Sequence, residues 1–267
     1  MAKILETKGL TKKYGDFTAL NNVSINVCSG DVYGLIGKNG AGKTTLFKLI
    51  MGLTEKNSGE IIIDNNKNVN MARKKIGFMI GSSFFPYFSA YQNIEYYRKL
   101  KGVKDKNETE RVLKLVELWG VKKPFKAFSM GMKQRLGIAN ALLGKPPIII
   151  LDEPVNGLDP QGITDIRNMI KEINEKENVT FIISSHILSE LDLVATKFGF
   201  IDSGVLLKEL THEELHKHTS KSSVIEIADT EKARKELEKI GLEYEVKNKE
   251  ITLEEYFFSL VGGGNNA

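Results

Sequence analysis

Two short stretches carry residue types whose spacing does chemistry. Residues 37–45 read GKNGAGKTT, set between an apolar, strand-like VYGLI at 32–36 and a helical LFKLIMG. This is the pattern G-x-x-x-x-G-K-[ST] in the strand, loop, helix context that it requires. Gly37, Gly40 and Gly42 let backbone N–H groups curl around phosphate oxygens, with Asn39, Ala41 and Thr45 completing the loop. The N-terminus of the following helix adds its partial positive charge. Lys43 is long enough to reach β- and γ-phosphates, and the Thr44 hydroxyl is placed to meet Mg²⁺. A nucleoside triphosphate is the expected ligand. The second stretch, IIILDEP at 148–154, sets two carboxylates after four aliphatic residues. Alone it fits a buried strand ending in a solvated turn; beside a phosphate loop it fits a strand whose end carries the metal site. Neighbours on a strand point to opposite faces, so Asp152 and Glu153 cannot share one job. Asp152 is the expected metal-side ligand, and Glu153 is free to polarise an attacking water as a general base.

Both motifs must be held at the ends of neighbouring strands. The runs VSINV (23–27), VYGLI (32–36), EIIID (60–64), IGFMI (76–80), IIIL (148–151) and TFIIS (180–184) alternate with helical segments, the pattern of an α/β domain. Between the last two, Ile163, Ile166, Ile170 and Ile173 recur at helical spacing, so a crossover helix joining two parallel strands is expected. The rhythm breaks near residues 83–130. Phe84, Phe85, Tyr87, Phe88, Tyr91, Tyr96 and Tyr97 crowd one segment, and NETERVLKLVELWG follows. That stretch has Asn107 and Glu110 at capping-box spacing, Val112, Leu115, Val116 and Trp119 on one face, and Gly120 as a stop. A mostly helical insertion is expected, its aromatics forming a small core of their own or part of a docking surface. Residues 221–267 read as a small α/β appendage, with a strand-like SVIEIA, a helix over 230–240, short strands around Asn248 and a last helix LEEYFFSL. His212, His216 and His218 are close in sequence, but no carboxylate or thiolate pattern joins them, and a solvated helix end is expected.

Composition bounds the partners. The chain has 267 residues, 41% hydrophobic and 27% charged, with a net charge of +4, which permits an anionic ligand but not the massed basic surface of a nucleic-acid binder. No stretch approaches the roughly 20 apolar residues of a membrane span, and MAKILETKGL lacks the apolar core of a signal peptide. A cytoplasmic location is expected. Cys28 is the only cysteine, which excludes an intrachain disulfide and fits a reducing compartment.

Four more stretches follow: KKYGDF around Tyr14, FSMGMKQR at 128–135, NGLDP at 156–160 and IISSH ending at His186. With the two motifs above, they resemble, in order and over residues 3–210, the nucleotide-binding subunit of ATP-binding cassette (ABC) transporters. The resemblance implies a P-loop NTPase fold over 1–220, with an antiparallel β subdomain and a helical insertion at about 83–130. It implies hydrolysis of ATP with Mg²⁺. It assigns Tyr14 to adenine stacking, Ser129 and Gly131 to the γ-phosphate bound by a partner subunit, Asp159 to the acidic position of the D-loop, and His186 to the γ-phosphate switch. The implied partners are a second ATP-binding subunit, identical or a close paralogue, and a transmembrane permease through which alone the membrane is met, at its inner face. No nucleic acid is implied. The wording IGFMIGSSFFPYFSAYQNI, VNGLDPQGI and LEEYFFSLVGGG is most similar to the bacitracin- and lantibiotic-resistance exporters, whose cargo is an amphiphilic antimicrobial peptide. A soluble or regulatory ABC ATPase, acting in sensing or on ribosomes or DNA, is the competing reading; the twin cassettes of ribosomal forms and the long coiled coil of DNA-repair forms are missing from this sequence. Two departures stand out. Gly81 lies where the family has a Mg²⁺-sensing Gln, leaving Ser82 or Ser83 to substitute or coupling to relax, and Met130 and Met132 replace the commoner Gly and Gln of the signature.

Overall fold

The computed structural model describes residues 2–64, 66, 69–81, 84–219, 223–226 and 245–248. Contacts divide the chain into one unit, Met1–Glu209, and a second, Leu210–Ala267. The first unit is built on two sheets. One is antiparallel: β1 (Lys3–Tyr14) pairs with β2 (Phe17–Val23), β3 (Asn26–Cys28) and β5 (Ser58–Ile63). The expected single strand at 23–27 is instead split between β2 and β3. Thr7 fills the break: its hydroxyl donates to Val23 O and accepts from Ile25 N–H, each at 3.0 Å, so the interrupted backbone keeps its hydrogen bonds while buried.

The second sheet has the order β10-β9-β4-β8-β7-β6. Its strands are β4 (Val32–Ile36), β6 (Ile76–Met79), β7 (Ile148–Asp152), β8 (Thr180–Ser185), β9 (Lys197–Asp202) and β10 (Val205–Thr211), the last crossing the division between units. The pairs β4–β8, β4–β9, β7–β8 and β6–β7 are parallel. Every residue of β4 and β8 is buried, which is why these strands read as continuous apolar runs rather than alternations. Helix α1 (Lys43–Met51) leaves the end of β4 through a short loop and packs on β7. Two helices of a little over one turn, α2 (Val69–Arg73) and α7 (Leu188–Asp192), precede β6 and follow β8. The crossover between β7 and β8 is α6 (Pro160–Glu177), which buries Ile166, Met169, Ile170 and Ile173 and leaves Ile163 half-buried. Strand ends that point the same way, each followed by a loop or helix start, bring distant residues together at one edge.

Between β6 and β7 lies the helical insertion: α3 (Ala90–Leu100), α4 (Glu108–Leu115) and α5 (Met130–Leu142), mutually packed, with α5 also against β6 and β7. Side chains would obstruct this last contact, because a Cβ on Gly77 would strike the Ala141 carbonyl. The capping box expected at Asn107 does not form; Asn107 makes no side-chain cap. The box sits instead at Ser89 and Gln92, at the start of α3, where each side chain bonds the other's backbone N–H. Helix α4 stops at Leu115, with Glu117 at φ +57°, so the buried face is Val112, Leu113, Val116 and Leu118 while Trp119 is 43% exposed. The aromatics do touch one another, Phe84 edge-on to Tyr97 at 5.6 Å and Phe85 to Tyr96 at 4.8 Å between centroids. They also face outward: Tyr87 is 74% exposed and Tyr91 48%.

The second unit contains α8 (His212–Thr219) and a two-stranded antiparallel ladder of β11 (Ser223–Glu226) and β12 (Glu245–Asn248). His212 and His216 stand one turn apart with Nε2 atoms 3.2 Å from each other. The join expected at residue 220 and the helices expected at 230–240 and beyond 250 lie outside the described residues.

Candidate functional site

The loop between β4 and α1 is shaped by its glycines. Gly40 has φ +85° and Gly42, the N-cap of α1, has φ +108°, conformations that a side chain resists. A Cβ on Gly37 would strike the Ile201 carbonyl, and one on Gly42 would lie 2.8 Å from Leu20 Cδ2. Ala41 is nearly buried, and its carbonyl accepts from Gly204 N–H at 3.0 Å. Asn39, Gly40, Ala41, Gly42, Lys43, Thr44, Thr45, Phe17, Ala19 and Glu153 line a cavity of about 180 Å³ over this loop. Phe17 is 67% exposed and is a residue that the motifs do not single out; Tyr14 is not in the lining. Those two residues face each other across the β1–β2 hairpin, Tyr14 lying under the Lys12 ammonium at 4.6 Å. The signal for Tyr14 is a motif position, and nothing in the spacing distinguishes it from an aromatic three residues on.

Lys43 is 5% exposed and carries its charge inward. It donates to Gly37 O at 2.6 Å and Lys38 O at 3.1 Å, and its ammonium is 3.1 Å from Glu153 Oε1. The contact with Glu153 is an ion pair, and Oε1 is buried with no hydrogen-bond donor among the described residues. The other carboxylate oxygen, Oε2, is 2.8 Å from His186 Nδ1. Glu153 therefore bridges the loop lysine and the residue that follows β8. It does so from φ +50°, a left-handed conformation that costs a non-glycine residue about 1–2 kcal/mol. The strain swings Glu153 off the line of β7 and into the cavity, while Asp152, still in the strand, takes a different direction.

Asp152 meets the loop through hydroxyls. Thr44 Oγ1 donates to its Oδ2 at 2.7 Å and Ser184 Oγ to its Oδ1 at 2.7 Å. Thr44 and Asp152 thus present only hard oxygen donors, from neutral and anionic groups, a set that suits Mg²⁺ rather than a softer metal. Gly81, two residues past β6, has φ +67°, and a Cβ there would meet no atom within 4 Å. There is room for a side chain, while the positive φ favours glycine.

The remaining candidates gather elsewhere. Ser129 is the N-cap of α5, accepting from Met132 N–H at 3.3 Å, and Asp159 is the N-cap of α6, accepting from Gly162 N–H at 2.9 Å. Ser129, Gly131 and Asp159 line a second cavity of about 640 Å³, into which Gly157, Gln161 and Arg135 also face. No described residue lines both cavities. Arg135 is engaged by Asp165 at 3.0 Å and by Glu117. The second cavity therefore offers two helix N-termini and small residues, the makings of an anion cradle, beside the carboxylates of Glu117, Asp159 and Asp165, two of which are paired with Arg135.

Comparison with known proteins agrees with this arrangement. Residues 20–156 match the ABC transporter family model. The bacitracin transport ATP-binding protein of Enterococcus faecalis is 34% identical, with 100% of this chain and 99% of that protein covered. A lantibiotic transport ATP-binding protein of Streptococcus pyogenes is 42% identical over 79% of this chain and 92% of its own length. Among solved structures, a dimeric ATP-binding cassette in a post-hydrolysis state with ADP and phosphate superposes with a TM-score of 0.70 at 27% identity, covering 78% of this chain and 99% of that one. An ADP-bound cassette of another ABC transporter gives a TM-score of 0.72 at 26% identity, over 80% and 93%. The chain belongs to the ABC transporter family, as an ATP-binding subunit that hydrolyses ATP.

Proposed function

We propose that this ATPase drives a separate membrane permease that exports or expels an amphiphilic antimicrobial peptide. The observation that carries the motor reading is the convergence of Lys43, Thr44, Asp152, Glu153 and His186 at neighbouring strand ends. In this reading the β- and γ-phosphates lie on the loop of residues 37–45 and adenine stacks on Tyr14 or Phe17. Lys43 exchanges Glu153 for the γ-phosphate, which frees the carboxylate to accept a proton from the attacking water. His186 holds that carboxylate in place and contacts the terminal phosphate. Thr44 and Asp152 would hold Mg²⁺, which when bound would offset charge developing on the phosphate oxygens.

Ser129, Gly131 and Asp159 occupy a cavity separate from the loop, which supports their serving the nucleotide of a second subunit, an identical copy or a close paralogue. Two chains would then enclose two ATP molecules head to tail, closing on binding and opening on hydrolysis. No helix among the described residues is long and apolar enough to cross a membrane, which supports a permease on another chain as the point of membrane attachment. The outward aromatic face of the helical insertion, with Tyr87, Tyr91 and Trp119, is the surface assigned to it. The peptide cargo rests on relatives described as transporting bacitracin and lantibiotics. The test is to purify tagged Glu153→Gln protein from its host in mild detergent and identify what accompanies it. A polytopic membrane protein supports the proposal; ribosomes, nucleic-acid complexes or no partner would overturn its transport half.

A further inference from the structure

Ser184 has no part in the roles above, yet it touches both carboxylates' residues. It lies in β8, fully buried, directly opposite Asp152 in the parallel register. Its hydroxyl donates to Asp152 Oδ1 at 2.7 Å and accepts from the backbone N–H of Glu153 at 2.8 Å. One oxygen atom thus binds two consecutive residues on the neighbouring strand, one through its side chain and the other through its backbone. A hydroxyl at zero exposure in a strand of Phe181, Ile182 and Ile183 is costly unless it is hydrogen-bonded, and here its donor and an acceptor lone pair are both used.

Each bond acts on a different function. The first fixes the carboxylate plane of Asp152, whose other oxygen accepts from Thr44 at 2.7 Å, so two hydroxyls from two elements aim it. The second holds the amide of Glu153 in its left-handed conformation, the turn that carries its side chain to Lys43 and His186. We infer that Ser184 is a positioning residue that sets the Asp152 carboxylate and the Glu153 backbone together. This rests on the reading of Asp152 as metal-side ligand and Glu153 as base.

The experiment compares Ser184→Thr with Ser184→Val, which add the same bulk and differ in the hydroxyl, alongside Ser184→Ala, which adds none. Folding is followed by thermal melting. ATP affinity is measured by fluorescent-nucleotide displacement with and without Mg²⁺, and turnover as kcat and KM. In Ser184→Ala and Ser184→Val, affinity without Mg²⁺ should hold, while the gain on adding Mg²⁺ and kcat should each fall on the order of 10–100-fold. Ser184→Thr should recover much of both relative to Ser184→Val. Equal values for Thr and Val, or an Ala variant whose melting temperature drops while Mg²⁺ gain and kcat persist, would overturn the inference and leave Ser184 a structural residue. Asp152→Asn and Glu153→Gln run in parallel: if Asp152→Asn keeps the Mg²⁺ gain and Glu153→Gln keeps turnover, the reading of the carboxylates has failed; if the first loses the Mg²⁺ gain and the second loses turnover while the Ser184 variants keep both, only the positioning role has.

Discussion

The two cavities of the first unit are made by opposite means. Over the loop of residues 37–45, charged groups are concentrated and already engaged with one another: Lys43 with two carbonyls and Glu153, Glu153 with His186, Asp152 with two hydroxyls. The cavity of Ser129 and Asp159 is larger and carries its potential in helix N-termini, with its one arginine bound to Asp165 and Glu117. The first joins an ammonium, two carboxylates and an imidazole within hydrogen-bond or ion-pair reach; the second sets two helix N-termini beside carboxylates, two of them held by Arg135. If the proposed two-chain site holds, hydrolysis becomes conditional on two surfaces meeting, which is what a motor needs if ATP is not to be consumed before its partners are in place.

The largest effects should come from breaking the first cavity. Lys43→Ala removes the loop's only inward ammonium and should lower turnover on the order of 10²–10³-fold, with nucleotide binding lost in the same displacement assay. Glu153→Gln should cost about 10²–10⁴-fold in turnover while ATP is kept. Held ATP should then accumulate a dimer, and a monomer at saturating ATP by light scattering would sink the two-chain site. Breaking the second cavity should separate binding from hydrolysis. Ser129→Arg should leave the ATP affinity of the single chain intact and reduce turnover on the order of 10-fold or more. Mixing Lys43→Ala and Ser129→Arg proteins should then recover part of the activity, because one pairing reunites an intact loop with an intact cradle. No recovery would mean that each chain works alone.

The difference between the cavities also decides what the sequence could reveal. The loop is contiguous, and two of its glycines answer to a conformational need at their own position, φ +85° at Gly40 and +108° at Gly42. The strands β4, β7 and β8 are buried on both faces, so their apolar runs are unmistakable. Strand β1 is longer, 12 residues, but bulges near Leu5 and Leu10 break its alternation, and no strand-like run marks it. At the start of α4 the spacing of Asn107 and Glu110 suits a cap, but Asn107 N–H is taken by Asp105 Oδ1 at 2.9 Å and the box forms at α3 instead. Ser184 is hidden for a different reason. Its importance lies in a register across two strands some thirty residues apart in sequence, and no local pattern encodes that.

A smaller effect would sharpen the first cavity's outline. Base stacking contributes about 1–3 kcal/mol, so whichever aromatic meets adenine should raise the KM for ATP about 5- to 150-fold when replaced by alanine, with kcat nearly kept. Phe17 lines the cavity and Tyr14 does not, although Tyr14 holds the motif position. If Phe17→Ala carries the larger effect, the cavity wall defines the nucleotide's path; if Tyr14→Ala does, the β1–β2 hairpin must shift on binding.

The smallest expected effect concerns the scaffold that presents the second cavity. In α3, Arg98 bonds Glu95 at 2.7 and 2.8 Å, and Thr109 of α4 adds a third bond at 2.8 Å. The Arg98 guanidinium, helped by Thr109, holds the Glu95 carboxyl down from its ordinary 4.5 to about 2. A carboxyl depressed in the folded state contributes stability that is fully present above pH 4.5 and is lost as pH falls toward 2. Because the bond from Thr109 joins α3 to α4, that loss should open the insertion before the parallel sheet. Hydrogen exchange from pH 6 down to about pH 3 should show amides of α3 and α4 losing protection ahead of those of β4 and β8. Glu95→Gln should flatten that difference: it cannot titrate, so its insertion should be weaker at neutral pH and little changed by acid. Equal loss of protection in both regions would mean that the insertion and the sheet open as one, and that the second cavity is as rigidly founded as the first.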